Sequence, residues 1–390
     1  MKLGDFTGAR RIPLIGRRSF LQEADRRLRS SGVHLLHLEG EGGIGKTALL
    51  EAILERSQRR GEQGSPDVGY VAQEIIDLYH VDVHTPEGLT RRIVQVLGTS
   101  YFRETQQLLS TLDWARSVGN VDVVSEKPGA LHGVFLDELA ALADEGLVLA
   151  FDTMEVLEYE RDPFQAELGE EVSILSAGQW LFESFLAKLR GSVLILLAGR
   201  PNGVGERLRA LRERNPHLQL RHLRVEALQE GETIDYLKTV AGLEGDRGDA
   251  DAAARLWQFA EERGDVIHFL TGGRPILLAL VADMVAHGWT LPSSFGRTLE
   301  ELHLRDAGEW WVEIERALVV RIQESPSPIG EAIHALAWLR KGATTELLAR
   351  VMGLTTPDGD WDLATVEDYL EQVARLTLVK VRSGDGRVFL

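Results

Sequence analysis

The chain is 390 residues long, with 44% hydrophobic and 26% charged residues, which is too long for one ordinary core and balanced as in a globular protein. It contains no cysteine, so structural disulfides, thiolate zinc sites and cysteine nucleophiles are excluded. The net charge of −17 argues against broad adhesion to nucleic acid or anionic membranes. No apolar h-region follows Met1, and no uninterrupted apolar run reaches about 18 residues; cytoplasm is the expected compartment, with no membrane partner.

An entry segment covers residues 1–17. Ser19 is a candidate cap for a helix that places Phe20, Leu21, Ala24 and Leu28 on one face. Residues 33–38 form an apolar run suited to a buried strand, and it leads straight into a glycine-rich stretch. Helix formers follow at 48–56, a loop at 61–66 and a strand at 68–72. Residues 86–145 read as mostly helical, with breaks near Gly119 and at 127–129. Residues 147–152, Leu-Val-Leu-Ala-Phe-Asp, are a continuous apolar run ending in an acid, the pattern of a central parallel strand. A helix is expected at 173–190, a second buried strand at 192–198 and an alternating edge strand at 218–225. This alternation predicts an α/β fold, a doubly wound parallel sheet over residues 1–226.

After Glu226 the strand signal stops. Helices are expected at 230–242, 250–263 and 273–288. A longer one at 294–323 contains Trp310 and Trp311, which read as core on one side. Residues 325–328, Ser-Pro-Ser-Pro, mark a break. Beyond it come helices at 329–340, 343–353 and 361–376, then two short strands flanking Ser-Gly-Asp-Gly at 383–386. The expected domains are therefore a P-loop NTPase α/β domain (1–226), a small helical domain (227–324) and a winged helix (325–390).

Residues 40–47 read Gly-Glu-Gly-Gly-Ile-Gly-Lys-Thr and fill the phosphate-binding pattern G-x-x-x-x-G-K-[ST]. Gly40, Gly42, Gly43 and Gly45 let the backbone N–H groups, including those of Ile44 and Ala48, turn inward around a phosphate. Lys46 offers a compact charge to the β- and γ-phosphates. Thr47 offers a hydroxyl to Mg²⁺ at the start of a helix whose dipole favours the anion. ATP or ADP with Mg²⁺ is the expected ligand. Asp152, at the end of its strand, is the candidate second Mg²⁺ residue; a strand-terminal Asp also serves as a turn residue or cap. Glu155 either orients the attacking water or is a solvated loop acid. Arg200 either senses the γ-phosphate or pairs with a neighbouring acid at the surface. Arg17 contacts nucleotide, bridges domains or simply starts a helix. Residues 271–275, Thr-Gly-Gly-Arg-Pro, read as a loop-to-helix junction. The histidines show no zinc spacing, and His34 and His37 read as packing or edge residues.

Taken in order, Leu14-Ile-Gly-Arg17, the loop at 40–47, Leu149-Ala-Phe-Asp152, Leu197-Ala-Gly-Arg200 and Gly272-Gly-Arg-Pro275 resemble the STAND class of signal-transduction ATPases. This is a branch of the AAA+ P-loop NTPases that includes NB-ARC and NACHT proteins. The resemblance implies an ATP/ADP switch that turns ATP over slowly to ADP and phosphate. It implies that Pro275 lies near the adenine, that the winged helix locks the ADP state, and that ATP favours a homo-oligomer. Thr153 stands where many related ATPases carry a second acid, which argues for slow hydrolysis. Related proteins often carry a His-Asp pair after the winged-helix hairpin. The chain stops at Leu390, so a C-terminal sensor or effector region of a longer protein is expected. Two other readings are a winged-helix DNA-binding AAA+ regulator and a P-loop kinase-like enzyme. The third winged-helix helix carries Asp362, Glu367, Asp368 and Glu371 against Arg375, so nucleic acid is not expected as a partner.

Overall fold

The computed structural model describes residues 14–65, 67–119, 121–159, 176–290, 327–339, 343–373, 380–381 and 388–389. It separates into two compact units, one spanning Arg17–Glu226 and the other containing Ala227–Leu390.

Apart from single helical turns at Val81–Val83, Thr99–Tyr101 and Val156–Tyr159, the elements of the first unit are, in chain order, α1 (Arg18–Leu28), β1 (Val33–Glu39), α2 (Lys46–Glu62), β2 (Tyr70–Val71), β3 (Ile76–Asp77), α3 (Pro86–Leu97), α4 (Arg103–Ser117), α5 (Val121–Asp144), β4 (Leu147–Asp152), α6 (Ala177–Trp180), β5 (Val193–Gly199), α7 (Val204–Arg214) and β6 (Leu218–Arg224). The main strand path runs β2–β4–β5–β1–β6, every pairing in it is parallel, and β3 also pairs with β4. Both β4 and β5 are buried along their whole length, as continuous apolar runs require in a sheet covered on two faces. Leu35, Leu36, Leu38, Ile195, Leu196 and Phe151 are almost completely buried. Each such side chain contributes roughly 1.5–3 kcal/mol relative to exposure. The alternating β6 is an edge strand, as its pattern predicted.

Three local expectations are corrected. Ser19 lies inside α1 rather than capping it. Arg17 holds the boundary, and its carbonyl accepts from the N–H groups of Phe20 and Leu21. The strand expected at 68–72 narrows to Tyr70–Val71, and a second short strand, β3, follows it. The break near Gly119 separates α4 from α5, but α5 runs on through residues 127–129. A proline removes one intrahelical bond, and here the helix continues on both sides of it. After α6 the helix widens into a π turn at Leu181–Leu186, where Phe182 lies 4.2 Å from the Arg207 guanidinium.

The second unit contains α8 (Glu230–Asp246), α9 (Ala250–Thr271) and α10 (Pro275–Ala286). Leu237, Val240, Leu256, Ile267 and Leu278 form their core, and Ile15 packs against it. Helix α9 outruns the expected 250–263 because Gly264, a helix-weakening residue, is required there: a Cβ would collide with Ile234 of α8. Beyond the undescribed stretch come α11 (Ser327–Trp338), α12 (Thr345–Met352) and α13 (Leu363–Val373), then β7 (Lys380–Val381) antiparallel to β8 (Val388–Phe389). Ala332, Leu336, Leu348, Val366 and Leu370 pack together within this module. Three helices followed by an antiparallel strand pair give the winged-helix plan. The helix expected at 294–323, Trp310, Trp311 and the turn at 383–386 lie outside the described residues. Among the described residues, no helix is long and apolar enough to cross a membrane.

Close to the glycine-rich loop, β1 and β6 carry a polar chain that runs from buried His37 to exposed His222 and half-buried Glu39. His37 and His222 are register partners, and their Nδ1 atoms lie 2.9 Å apart. His222 Nε2 lies 2.8 Å from Glu39 Oε2. With Glu39 accepting from His222 Nε2–H, neutral His37 donates from Nδ1. Burial, helped by the charges of His222 and Arg209, lowers the His37 pKa to about 4. A depressed histidine stabilises the fold fully above its ordinary value of 6.5, and that contribution is lost as pH falls toward 4. The urea midpoint is therefore expected to fall between those two pH values, with roughly 3 kcal/mol at stake for this residue. In His37→Leu, the decline over the upper half of that range should be shallower than in the parent protein.

Candidate functional site

Strand β1 delivers the glycine-rich loop to the carboxyl edge of the sheet, where ligands of open α/β sheets bind. Gly40 N–H donates to the Gly199 carbonyl at 3.2 Å, fixing the loop against the end of β5. Gly45 is the residue before α2 and takes φ +94°, a left-handed conformation that L side chains resist. Gly42 faces Arg200: a Cβ there would stand 3.0 Å from an Arg200 Nη atom. Gly43, Thr47 and Ala48 are exposed, whereas Ile44 is buried and anchors the loop from beneath.

Lys46 folds back over its own loop, and its ammonium donates to the carbonyls of Gly40 and Glu41 at 2.7 and 2.9 Å. Burial lowers its pKa, opposed by Asp152 and Glu155. Thr47 Oγ1 donates to Asp152 Oδ2 at 2.6 Å, joining loop and strand β4 across 105 positions of sequence. Asp152 is 9% exposed, and burial raises its pKa; the Thr47 hydroxyl and the Thr153 N–H work against that rise. A divalent cation beside this carboxylate would favour the same charged form. The pairing of a hydroxyl and a buried carboxylate at the mouth of a phosphate loop fits Mg²⁺, which takes few protein oxygens and keeps phosphate oxygens and waters as its other ligands. Among the described residues, no cluster of three or more His, Cys, Asp or Glu side chains is arranged to hold a metal.

Glu155 is not a solvated acid. Its side chain is 15% exposed; it accepts from the Arg200 N–H at 3.0 Å and lies 3.5 Å from Arg200 Nε. Arg200, 65% exposed, thus lies between Glu155 and Gly42 of the loop. Arg17 is not a surface residue: it is 6% exposed and donates to the carbonyls of Glu226 and Ile44 at 2.6 and 3.4 Å. It therefore ties the loop to the chain leaving β6. The structure brings Arg17, the loop, Asp152, Glu155 and Arg200 together in the first unit. Pro275 belongs to the second unit, where it opens α10 after two left-handed glycines, Gly272 and Gly273.

One residue of this edge escaped the sequence reading. Asp77 ends β3 as register partner of Asp152, and its Oδ1 accepts from the Thr153 hydroxyl at 2.8 Å. Thr153 has φ +61°, and among the described residues it is the only non-glycine with positive φ. Such a conformation costs a β-branched residue roughly 1–3 kcal/mol. The available signal was Glu74-Ile-Ile-Asp77, which ends in an acid after apolar residues just as 147–152 does. A two-residue strand is too short for periodicity to reveal.

No protein-family model matches the chain, and a search of curated proteins finds no match. Similar solved structures include the Aeropyrum pernix ORC1 protein in complex with DNA, at 18% identity, covering 97% of this chain and 90% of that one, with a TM-score of 0.39. The Aeropyrum pernix ORC2 protein in its ADPNP–ADP complexes is 16% identical, covering 100% of this chain and 92% of that one, with a TM-score of 0.41. Cdc6p from Pyrobaculum aerophilum is 12% identical, covering 99% and 92%, with a TM-score of 0.37. Beside a similar protein in complex with DNA, the expectation that nucleic acid is no partner is withdrawn. That expectation rested on the acidic third helix of the winged-helix segment, with Asp362, Glu367, Asp368 and Glu371 against Arg375, and left the rest of the chain out of account. Residues 200–225 alone carry seven arginines against two glutamates.

Lys46→Ala removes the only lysine of the loop and its bond to the loop carbonyls. Equilibrium binding of ATP should fall below detection; ATP affinity equal to that of the parent protein would refute the site.

Proposed function

We propose that the chain is an AAA+-type P-loop ATPase core that binds ATP or ADP with Mg²⁺ and acts as a nucleotide-state switch, in the manner of STAND ATPases. The reading divides the chain at 226 and 324 into α/β, helical and winged-helix domains. Backbone N–H groups of the loop and Lys46 hold the phosphates, and Arg17 stiffens the loop from behind. Thr47 and Asp152 would hold Mg²⁺, which neutralises charge on the β- and γ-phosphate oxygens. Glu155 is the acid near enough to orient water, but its carboxylate is already committed to Arg200. With Thr153 in place of a second acid, this favours slow turnover of ATP to ADP and phosphate.

The observation that carries the switch reading is the position of Arg200. It pairs with Glu155 on one side and lies over Gly42 on the other. A γ-phosphate offers the guanidinium a stronger, bidentate anion than Glu155 does. Binding of ATP, but not of ADP, then pulls Arg200 from Glu155 and changes how the end of β5 is held. Calorimetric titration of Arg200→Ala should show the preference for ATP over ADP reduced about tenfold or more, with ADP affinity unchanged. Equal losses for both nucleotides would reject the sensing role.

A DNA-binding AAA+ ATPase is the second reading, favoured by the distribution of charge. Arg209, Arg212, Arg214, Arg221 and Arg224 on α7 and the β6 edge are exposed. Among the described residues only Arg221 of these five has an acid within reach, Glu23 at 4.0 Å. An excess of five positive charges sits in 26 residues of a chain whose total is −17. Such a ridge suits a phosphate backbone. Duplex DNA binding followed between about 50 and about 200 mM salt should weaken steeply, and Arg221→Ala with Arg224→Ala should flatten the log–log slope by about two. A slope unchanged by the double substitution would remove this surface from the reading.

A further inference from the structure

We propose that Asp77 is a positioning residue for the nucleotide site: it anchors the left-handed turn after β4 through the Thr153 hydroxyl and thereby aims the Asp152 carboxylate at Thr47. The inference rests on the Mg²⁺–nucleotide function proposed above and adds a residue to it.

The turn at 152–154 is gripped from both sides. Toward β5, Met154 N–H donates to the Ala198 carbonyl at 3.0 Å. Toward β3, Leu78 N–H donates to the Asp152 carbonyl at 3.1 Å, and the Thr153 hydroxyl donates to Asp77 Oδ1 at 2.8 Å. The same Asp77 oxygen accepts from Tyr79 N–H at 3.0 Å, so its own orientation is set locally. Between these grips Thr153 is held at φ +61°. On the Asp152 side, the Thr153 N–H donates to Asp152 Oδ1 at 2.8 Å, which leaves Oδ2 to face the Thr47 hydroxyl at 2.6 Å. One continuous hydrogen-bonded path therefore runs from Asp77 through Thr153 and Asp152 to the loop.

The side chain at 153 explains why the anchor is needed. A glycine would accept the left-handed turn without help; threonine resists it because its branched Cβ crowds the backbone. The hydroxyl supplies the compensation, provided an acceptor stands opposite. Asp77 is that acceptor, placed by its register with Asp152. The acid that related ATPases carry next to the strand-terminal Asp is missing at 153, and here a carboxylate reaches that position from the neighbouring strand. Groups that orient a metal-binding carboxylate typically change metal affinity by about ten- to a hundredfold when removed.

The test measures ATP binding to the full chain by calorimetry, with Mg²⁺ and with EDTA. Asp77→Ala should lose about tenfold or more of the Mg²⁺-dependent tightening and keep the affinity seen in EDTA. Asp77→Asn retains an acceptor oxygen and should match the parent protein. Adding Thr153→Gly to Asp77→Ala should restore the tightening, because glycine holds the turn unaided. Should Asp77→Ala fail to fold, Thr153→Val removes the same hydrogen bond and should show the same selective loss. An Asp77→Asn protein as impaired as Asp77→Ala, or a double variant without recovery, overturns the proposal. Parent protein that binds MgATP no better than ATP in EDTA overturns the Mg²⁺ function, and this inference falls with it. Clear tightening in the parent beside an unaffected Asp77→Ala overturns this inference alone.

Discussion

A single hydrogen bond, from the Thr47 hydroxyl to the Asp152 carboxylate, is the constraint on which the first unit turns. It can form only if β1 and β4 point the same way and end at the same level. They are not neighbours: β5 lies between them and pairs in parallel with both. Two interstrand steps of about 4.8 Å thus separate the strand that delivers the loop from the strand that delivers the acid. The flat run of buried Leu, Ile, Val and Ala side chains along β4 and β5 keeps that spacing fixed. Parallel pairing then collects every reactive group at one edge, and the helices crossing back between strands cover both faces.

Around that bond the charges are arranged in opposed pairs rather than as one field. Lys46 neutralises loop carbonyls and faces Asp152 and Glu155; Arg200 holds Glu155; Arg17 caps the backbone on the hidden side of the loop. Each cation has a resting partner, which on the function proposed above an incoming phosphate would displace or outbid. Backbone carbonyls make weak competitors for an ammonium, which suits Lys46 to ready exchange. A carboxylate is a stronger one, and on the function proposed above it is this difference that would let Arg200 discriminate between a nucleotide that ends in a β-phosphate and one that extends further.

Much of this was legible in the residues. The loop motif at 40–47 and the apolar runs at 147–152 and 192–198 located the sheet and two sides of the site, because strong periodic or continuous signals survive without tertiary context. What stayed hidden depended on partners distant in sequence. Asp77 gains meaning only from its register with Asp152. The burial of Glu155 and Arg17 depends on Arg200 and on the carbonyl of Glu226. Gly264 reads as a helix breaker until Ile234 is seen in the space it leaves. The acidic third helix of the winged-helix segment misled for a related reason: it was weighed by itself, while the arginines of 200–225 lie in another part of the chain.

The two short strands β2 and β3 have a consequence for how the fold comes apart. Both pair with β4, one near its start and one at its end, and neither spans more than two residues. Their pieces of the ladder are separately closed, so the acid-bearing end is able to open while the central strands stay shut. Opening free energies fall with the number of buried contacts that must break. The flank of the site nearest Asp77 is thus held by a ladder much shorter than those joining β1, β4 and β5. The longest ladders carry the loop and Asp152, and one of the two shortest carries Asp77.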